Sequence, residues 1–175
     1  MQIAEQYYLD PSGTLATAVS VARTVADDDE NPMHQQAQAL IDRWQMDWLI
    51  QENHFQAAQR ALNLGQLDLA LTNAQKITHP HYLEKIKPVI EAVQARRIEL
   101  ENFLEQAQQS LLIGEIERAI YFATKLPDTE PWTTQKAQVL EQAKSIQINR
   151  ERRWQSVLWL LGLFVVVLSA LAGRR

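Results

Sequence analysis

Along most of the chain, apolar residues recur three or four positions apart and not on alternate positions, which is the spacing of one face of a helix. "SGTLATAVSVARTV" places Leu15, Ala18, Val19, Ala22 and Val25 in such a row. Further rows follow at Ala37, Leu40, Ile41, Trp44 and Trp48, at Ile86, Val89, Ile90 and Val93, and at Ala137, Leu140 and Ala143. No Gly or Pro falls between Met33 and Leu64, and only Pro88 falls between Tyr82 and Ile113. The pattern predicts long helices near 33–64 and 81–112, alternating with short ones near 14–26, 66–77 and 115–126. A last helix is predicted to start near 132 and to run unbroken to the C-terminal apolar segment. Glycine ahead of the short helices, and the loops "DDDENP", "THPH" and "LPDTEP" after them, are stop-and-start signals between helices. Pro88 lacks a backbone N–H, so it is expected either to kink the second long helix or to mark its start.

The elements repeat. "LNLGQLDLALTNAQKI" (62–77) and "LLIGEIERAIYFATKL" (111–126) align at a constant offset of 49. Gly65, Leu67, Ala70, Leu71, Ala74, Lys76 and Ile77 then meet Gly114, Ile116, Ala119, Ile120, Ala123, Lys125 and Leu126. A fainter copy, with Gly13, Leu15, Ala18, Val19, Ala22 and Val25, aligns at an offset of 52. Helix pairs recurring at such a period suit a solenoid, because each pair buries its apolar face against the next. The expected fold is all-α: a solenoid-like helical-repeat domain over 1–149, with repeats near 14–50, 62–97 and 111–145.

The run Gly-x-Leu-x-x-Ala-Leu-x-x-Ala-x-Lys-Ile leading to a proline, from Gly65 to Pro80 and again from Gly114 to Pro127, resembles the turn and second helix of a tetratricopeptide repeat. With the loop and the set Ala37, Gln38, Leu40, Ile41 and Trp44, it also resembles helical-repeat segments of uncharacterised cyanobacterial single-pass membrane proteins. The resemblance covers residues 14–145. It implies protein–protein interaction, no chemistry of its own, and a home in a thylakoid or plasma membrane. Tetratricopeptide repeats recur every ~34 residues, so their groove and its peptide-contacting positions are not transferred to this chain.

The C-terminal segment reads differently from the rest. From Val157 to Ala172 no residue is charged, and the stretch 154–172 makes a helix of about 28 Å, close to the roughly 30 Å hydrocarbon core of a bilayer. Eleven of its residues are Leu, Val or Phe, which favour insertion by about 3–7 kcal/mol in total. A buried core helix normally keeps a polar stripe, and this run has none. The expectation is a transmembrane helix over 154–172, a basic juxtamembrane segment at 150–153 and a short tail at 173–175. The flanking residues Arg150, Arg152, Arg153, Trp154, Arg174 and Arg175 fit the two interfaces. Three arginines before the run and two after it place the N-terminal domain on the cytoplasmic side. So does the absence of a basic start and apolar stretch in "MQIAEQYYLDPSG". Ser169 and Gly173 form a small-xxx-small pair at the end of the run, a pattern used in helix–helix docking.

Charge sharpens the division. Residues 1–149 carry 12 Lys and Arg against 20 Asp and Glu, a net of −8, while residues 150–175 carry five Arg against one Glu, a net of +4. An acidic body lacks the clustered basic face that nucleic acid requires, so no nucleic-acid partner is expected. No cysteine is present, which excludes disulfides and thiolate metal sites. His79 and His81 flank Pro80, and His34 and His54 lie elsewhere, but no Asp or Glu completes a metal-ligand spacing with them. "DDDENP" offers the first ligands of a calcium loop, yet Pro32 stands where its glycine is needed and Gln38 where its bidentate glutamate is needed. Glu99 and Glu101, beside Arg96 and Arg97, read as a solvated helix face. No nucleophile elbow, P-loop or dinucleotide fingerprint occurs. The expectation is therefore no enzyme, no metal and no cofactor. Trp44 and Trp48, one turn apart on one helix face, are candidate partner contacts if exposed, because Trp is enriched at interface hot spots. Tyr121 and Phe122 are adjacent and must point in different directions.

The chain is accordingly expected to act through protein contacts at a membrane, as an adaptor or assembly factor, or as a stoichiometric accessory subunit of a larger membrane complex.

Overall fold

The computed structural model describes the backbone of residues 1–172 and the side chains of residues 1–152. Among the described residues there are seven α-helices and no strand. They are α1 (Gln2–Leu9), α2 (Leu15–Ala26), α3 (His34–Asn63), α4 (Leu67–Ala74), α5 (Pro80–Leu112), α6 (Ile116–Thr124) and α7 (Trp132–Ala172). Short helices alternate with long ones from α2 onward, as the Gly and Pro punctuation predicts. The chain divides into two compact units, Met1–Ile98 and Glu99–Arg175, and α5 contributes to both.

Local chemistry sets the boundaries. The α3–α4 and α5–α6 corners are the same C-terminal cap. Gly65 and Gly114 take left-handed φ values of 71° and 79°, which side chains with a Cβ adopt at a cost. At the first corner the Gly65 N–H donates to the Leu62 carbonyl and the Gln66 N–H to the Ala61 carbonyl; Gly114 and Glu115 do the same to Leu111 and Ser110. These bonds occupy carbonyls that the end of a helix leaves open. Thr14 caps α2, its Oγ1 accepting the Thr17 N–H at 3.2 Å. Pro80 opens α5 at the first helical position, where a missing N–H removes no bond.

Each unit buries small and aliphatic residues between long and short helices. In the first unit, Ala4, Tyr8, Ala18, Val19, Ala22, Ile41 and Trp44 join α1, α2 and α3. Ala58, Ala74, Ile77, Tyr82, Ile86 and Val89 form a second cluster around α3 and α5. In the second unit, Ala107, Leu111, Ile116, Ala119, Ala123, Val139 and Ala143 join α5, α6 and α7. Ala70 and Ala119, and likewise Ala74 and Ala123, are buried at matched positions. Alanine there lets the helices approach closely.

Four details differ from the sequence-based expectation. The apolar spacing does not predict helix α1: within "QIAEQYYL" only Ala4 and Tyr8 are buried, too few to show a period. Pro88 lies inside α5, which starts eight residues earlier at Pro80, so Pro88 does not mark the start. Gly13 is not a left-handed cap like Gly65 and Gly114. It is required because a Cβ there would lie 2.1 Å from the Tyr7 carbonyl oxygen. In α7 Ala137 is exposed and Val139 takes its place in the buried row with Ala143.

Among the described residues no helix is long and apolar enough to cross a membrane. The expected span at 154–172, with Arg153, Trp154, Arg174 and Arg175, lies outside the residues whose side chains are described. Arg150 and Arg152 are exposed on α7.

Candidate functional site

The inner face of α3 carries Trp44, Asp47, Trp48, Gln51, Glu52 and Phe55 at helical spacing, and it gathers aromatic and imidazole side chains from α1 and from the start of α5. Tyr8 stacks flat on Trp44, with ring centroids 4.8 Å apart and planes 13° apart. Trp48 meets His79 edge-on at 5.0 Å, Tyr82 edge-on at 5.1 Å, and His81 at 4.9 Å. Tyr8 also meets His79 edge-on at 4.6 Å. Edge-to-face packing of this kind sets the positive rim of one ring against the negative face of the next.

A polar network runs beside the rings. The Tyr8 hydroxyl donates to Asp47 Oδ2, and Gln51 Nε2 donates to Asp47 Oδ1 at 3.2 Å and to Thr78 Oγ1 at 3.1 Å. Gln51 Oε1 accepts the backbone N–H groups of Thr78 at 2.9 Å and His79 at 3.3 Å. Buried Gln51 thereby fixes the loop before α5 onto α3. The Tyr82 hydroxyl donates to Glu52 Oε2 at 2.8 Å, and Lys85 lies over the rings of Phe55 and Tyr82. His81 Nδ1 lies 3.0 Å from the Pro11 carbonyl, which only accepts, so this nitrogen carries the proton.

His79 is the most constrained member. Its Nδ1 accepts the His81 N–H at 3.3 Å, so in the neutral ring the proton sits on Nε2. That nitrogen is buried without a hydrogen-bond partner among the described residues and is packed among rings. Burial pushes the His79 pKa down, against the opposing pull of the Asp47 charge and the Tyr8 backbone; the His81 charge adds to the depression. Burial, then the Asp47 hydrogen bond and charge, push the Tyr8 phenol up. Burial, then Glu52, do the same for Tyr82. The hydrogen bonds from Tyr82 and Gln56 hold the Glu52 carboxyl below the usual range. Among the described residues no group of three or more His, Asp or Glu is placed to hold a metal ion. The cluster thus joins α1, α3 and α5 and disfavours the charged form of one imidazole.

The structure brings Trp44 and Trp48 together with His79 and His81. Trp44 is only 2% exposed, and Trp48 is half-buried at the centre of the cluster. His34 lies apart, against the Asn31 carbonyl. Tyr121 is exposed and Phe122 packs into the core of the second unit, in different directions as adjacency requires. The sequence patterning does not single out Tyr8, Asp47, Gln51 or Tyr82. For Asp47 and Gln51 a signal existed: both stand in the row of Trp44, Trp48 and Phe55, and polar residues on an apolar face need buried partners.

No protein-family model matches the chain, and neither the curated proteins nor the solved structures yield a match.

Proposed function

We propose that this chain is a helical-repeat protein-interaction module held at a membrane by residues 154–172. In this reading it serves as an adaptor or assembly factor through contacts with other proteins, with its N-terminal domain on the cytoplasmic side. The observation that carries the reading is α7, one helix from Trp132 to Ala172. It closes the core of the second unit with Val139 and Ala143 and continues into the uncharged run. The repeat is supported by the two identical glycine caps and by the matched buried alanines, 49 residues apart. The exposed part of the acidic body and the basic segment at Arg150, Arg152 and Arg153 are the places where partners and lipid headgroups find complementary chemistry.

A second reading is a stoichiometric accessory subunit of a membrane complex, and the same helix favours it. After Pro131 there is no Gly or Pro before Gly162, so no flexible linker lets the domain search for partners. Native electrophoresis of membranes solubilised in mild detergent tests the two. A small free species that crosslinks to water-soluble proteins supports the adaptor. Comigration with one large complex at constant stoichiometry, surviving washing, replaces it with the subunit. Recovery of the chain from the unsolubilised aqueous fraction contradicts both.

A further inference from the structure

The exposed apolar side chains of the second unit are unevenly placed. Among its described residues the large exposed ones are Leu112, Ile113, Tyr121, Ile146 and Ile148. Four of these five lie at one end, where α5 turns into α6. Leu112 is 86% exposed and Ile113 is 68% exposed, at the tip of the corner. The opposite end is the loop 125–131, whose exposed residues include Lys125, Asp128 and Glu130. The corner also departs from its counterpart in the first unit: Asn63 and Leu64 stand before Gly65, whereas Leu112 and Ile113 stand before Gly114.

The direction of α7 says what lies beyond this end. Lys136 Nζ contacts the Leu126 carbonyl at 3.3 Å and Asp128 at 2.7 Å, so the C-terminal end of α6 sits against the first turns of α7. Because α6 packs along α7 across the short loop 125–131, the two helices run antiparallel, and counting about 11–12 residues back from Leu126 along α6 puts the corner level with roughly residues 146–148 of α7. From Ile146 to Trp154 is eight residues, or about 12 Å of helix. The headgroup layer of a bilayer takes up about 5–8 Å of that distance. The remaining gap is comparable to the reach of a leucine side chain or to a modest tilt of α7.

We infer that Leu112 and Ile113 form a second lipid contact, a corner that rests on the headgroup surface of the bilayer in which α7 is anchored. The inference rests on the anchor reading of residues 154–172. One helix leaves a domain free to swing and rotate about its axis; a second, apolar foothold on the same surface fixes its orientation. A partner protein is the other possible occupant, but the position of the corner along the anchoring helix favours lipid. Arg150, Arg152 and Arg153, between the corner and the run, match an anionic headgroup layer.

The test uses the absence of native cysteine, so that a single introduced thiol takes an environment-sensitive fluorophore. The full chain carrying Ile113→Cys, and separately Asp128→Cys, is labelled and reconstituted into vesicles of phosphatidylcholine and phosphatidylglycerol. Quenching by lipids brominated near the acyl carbonyl is then measured. The expected result is a blue-shifted, several-fold more strongly quenched label at 113, with an unquenched label at 128. If both labels stay unquenched while the chain resists carbonate extraction, the anchor stands and the corner contact is overturned. Equal quenching at both sites overturns it too, because the contact is specific to one end. If carbonate releases the chain, the anchor reading has failed and the corner contact falls with it.

Discussion

Gly65 and Gly114 stand 49 residues apart and close their helices with the same backbone, φ 71° at one and 79° at the other, each followed by an N–H that reaches back to the carbonyl five residues earlier. Nothing lies within 4 Å of a Cβ built at Gly114, so a side chain there meets no clash and pays only for its backbone conformation. Gly114→Ala is expected to cost about 1–2 kcal/mol of stability. Gly13→Ala acts by a different route, forcing the Tyr7 carbonyl away, and should also loosen α1. Urea denaturation of the variants, with hydrogen exchange of α1, separates the two effects.

The matched alanines make a second case. Ala70 and Ala119 are buried at matched positions in α4 and α6, and Ala→Asp at either buries a carboxylate, at 119 within an apolar cluster. Each substitution should destabilise by a few kcal/mol. Leu69→Asp, on the exposed face of α4, should stay within about 0.5 kcal/mol. Residues 1–149 expressed alone are the material for this measurement; circular dichroism should find them mostly helical, and chelators should not change their unfolding. Silent changes at 70 and 119 contradict the proposed repeat register.

Tyr8 holds α1 in place by two interactions, the stack on Trp44 and the hydrogen bond to Asp47. Tyr8→Phe keeps the stack and removes a donor to a carboxylate, for an expected loss of about 1.5–3 kcal/mol. Tyr8→Ala removes both, with an expected loss of about 3–5 kcal/mol and fast hydrogen exchange throughout residues 2–9. Protection of α1 that is unchanged in Tyr8→Ala contradicts the assigned role.

How much of this was legible in the sequence follows from where the information sits. The punctuation places helices α3 and α5 within a residue or two at each end, because Gly and Pro act locally and the apolar rows are long. It does not place helix α1, because a short helix with two buried residues has no measurable period. The aromatic cluster was half visible: Trp44 and Trp48 share a face by spacing alone, but their contacts with Tyr8, His79 and Tyr82 cross about 30 to 40 residues of chain. Such pairings depend on how helices pack, which spacing along one helix does not record. Gly13 shows the converse, a residue correctly noticed whose reason is a close backbone approach and not a left-handed turn.

Protonation of His79 should weaken the fold. Burial depresses its pKa in the folded state below the ordinary value of about 6.5. The unfolded chain therefore binds the proton first as pH falls. The stabilisation is present above about pH 6.5 and declines as pH drops toward the depressed folded value. Facing groups are Asp47, Tyr8, His81 and Tyr82; of these Asp47 and the Tyr8 backbone oppose the depression and His81 adds to it. His79→Asn keeps an acceptor for the His81 N–H and removes the titration. Thermal unfolding from pH 7.5 to 5 should show a falling Tm for the parent and a flatter profile for the variant. Equal slopes contradict the assignment.

If residues 154–172 hold the chain at a membrane, as proposed, Val166→Arg should loosen that hold. Val166 lies near the middle of the run, where an arginine costs about 2.5–3.5 kcal/mol of insertion, a large share of the estimated gain. The measurement is the fraction of each protein left in the membrane pellet after carbonate extraction of lysed cells. The parent is expected to stay in the pellet and a substantial part of Val166→Arg to move to the supernatant. Equal and complete retention of both proteins, or release of the parent itself, contradicts the proposal.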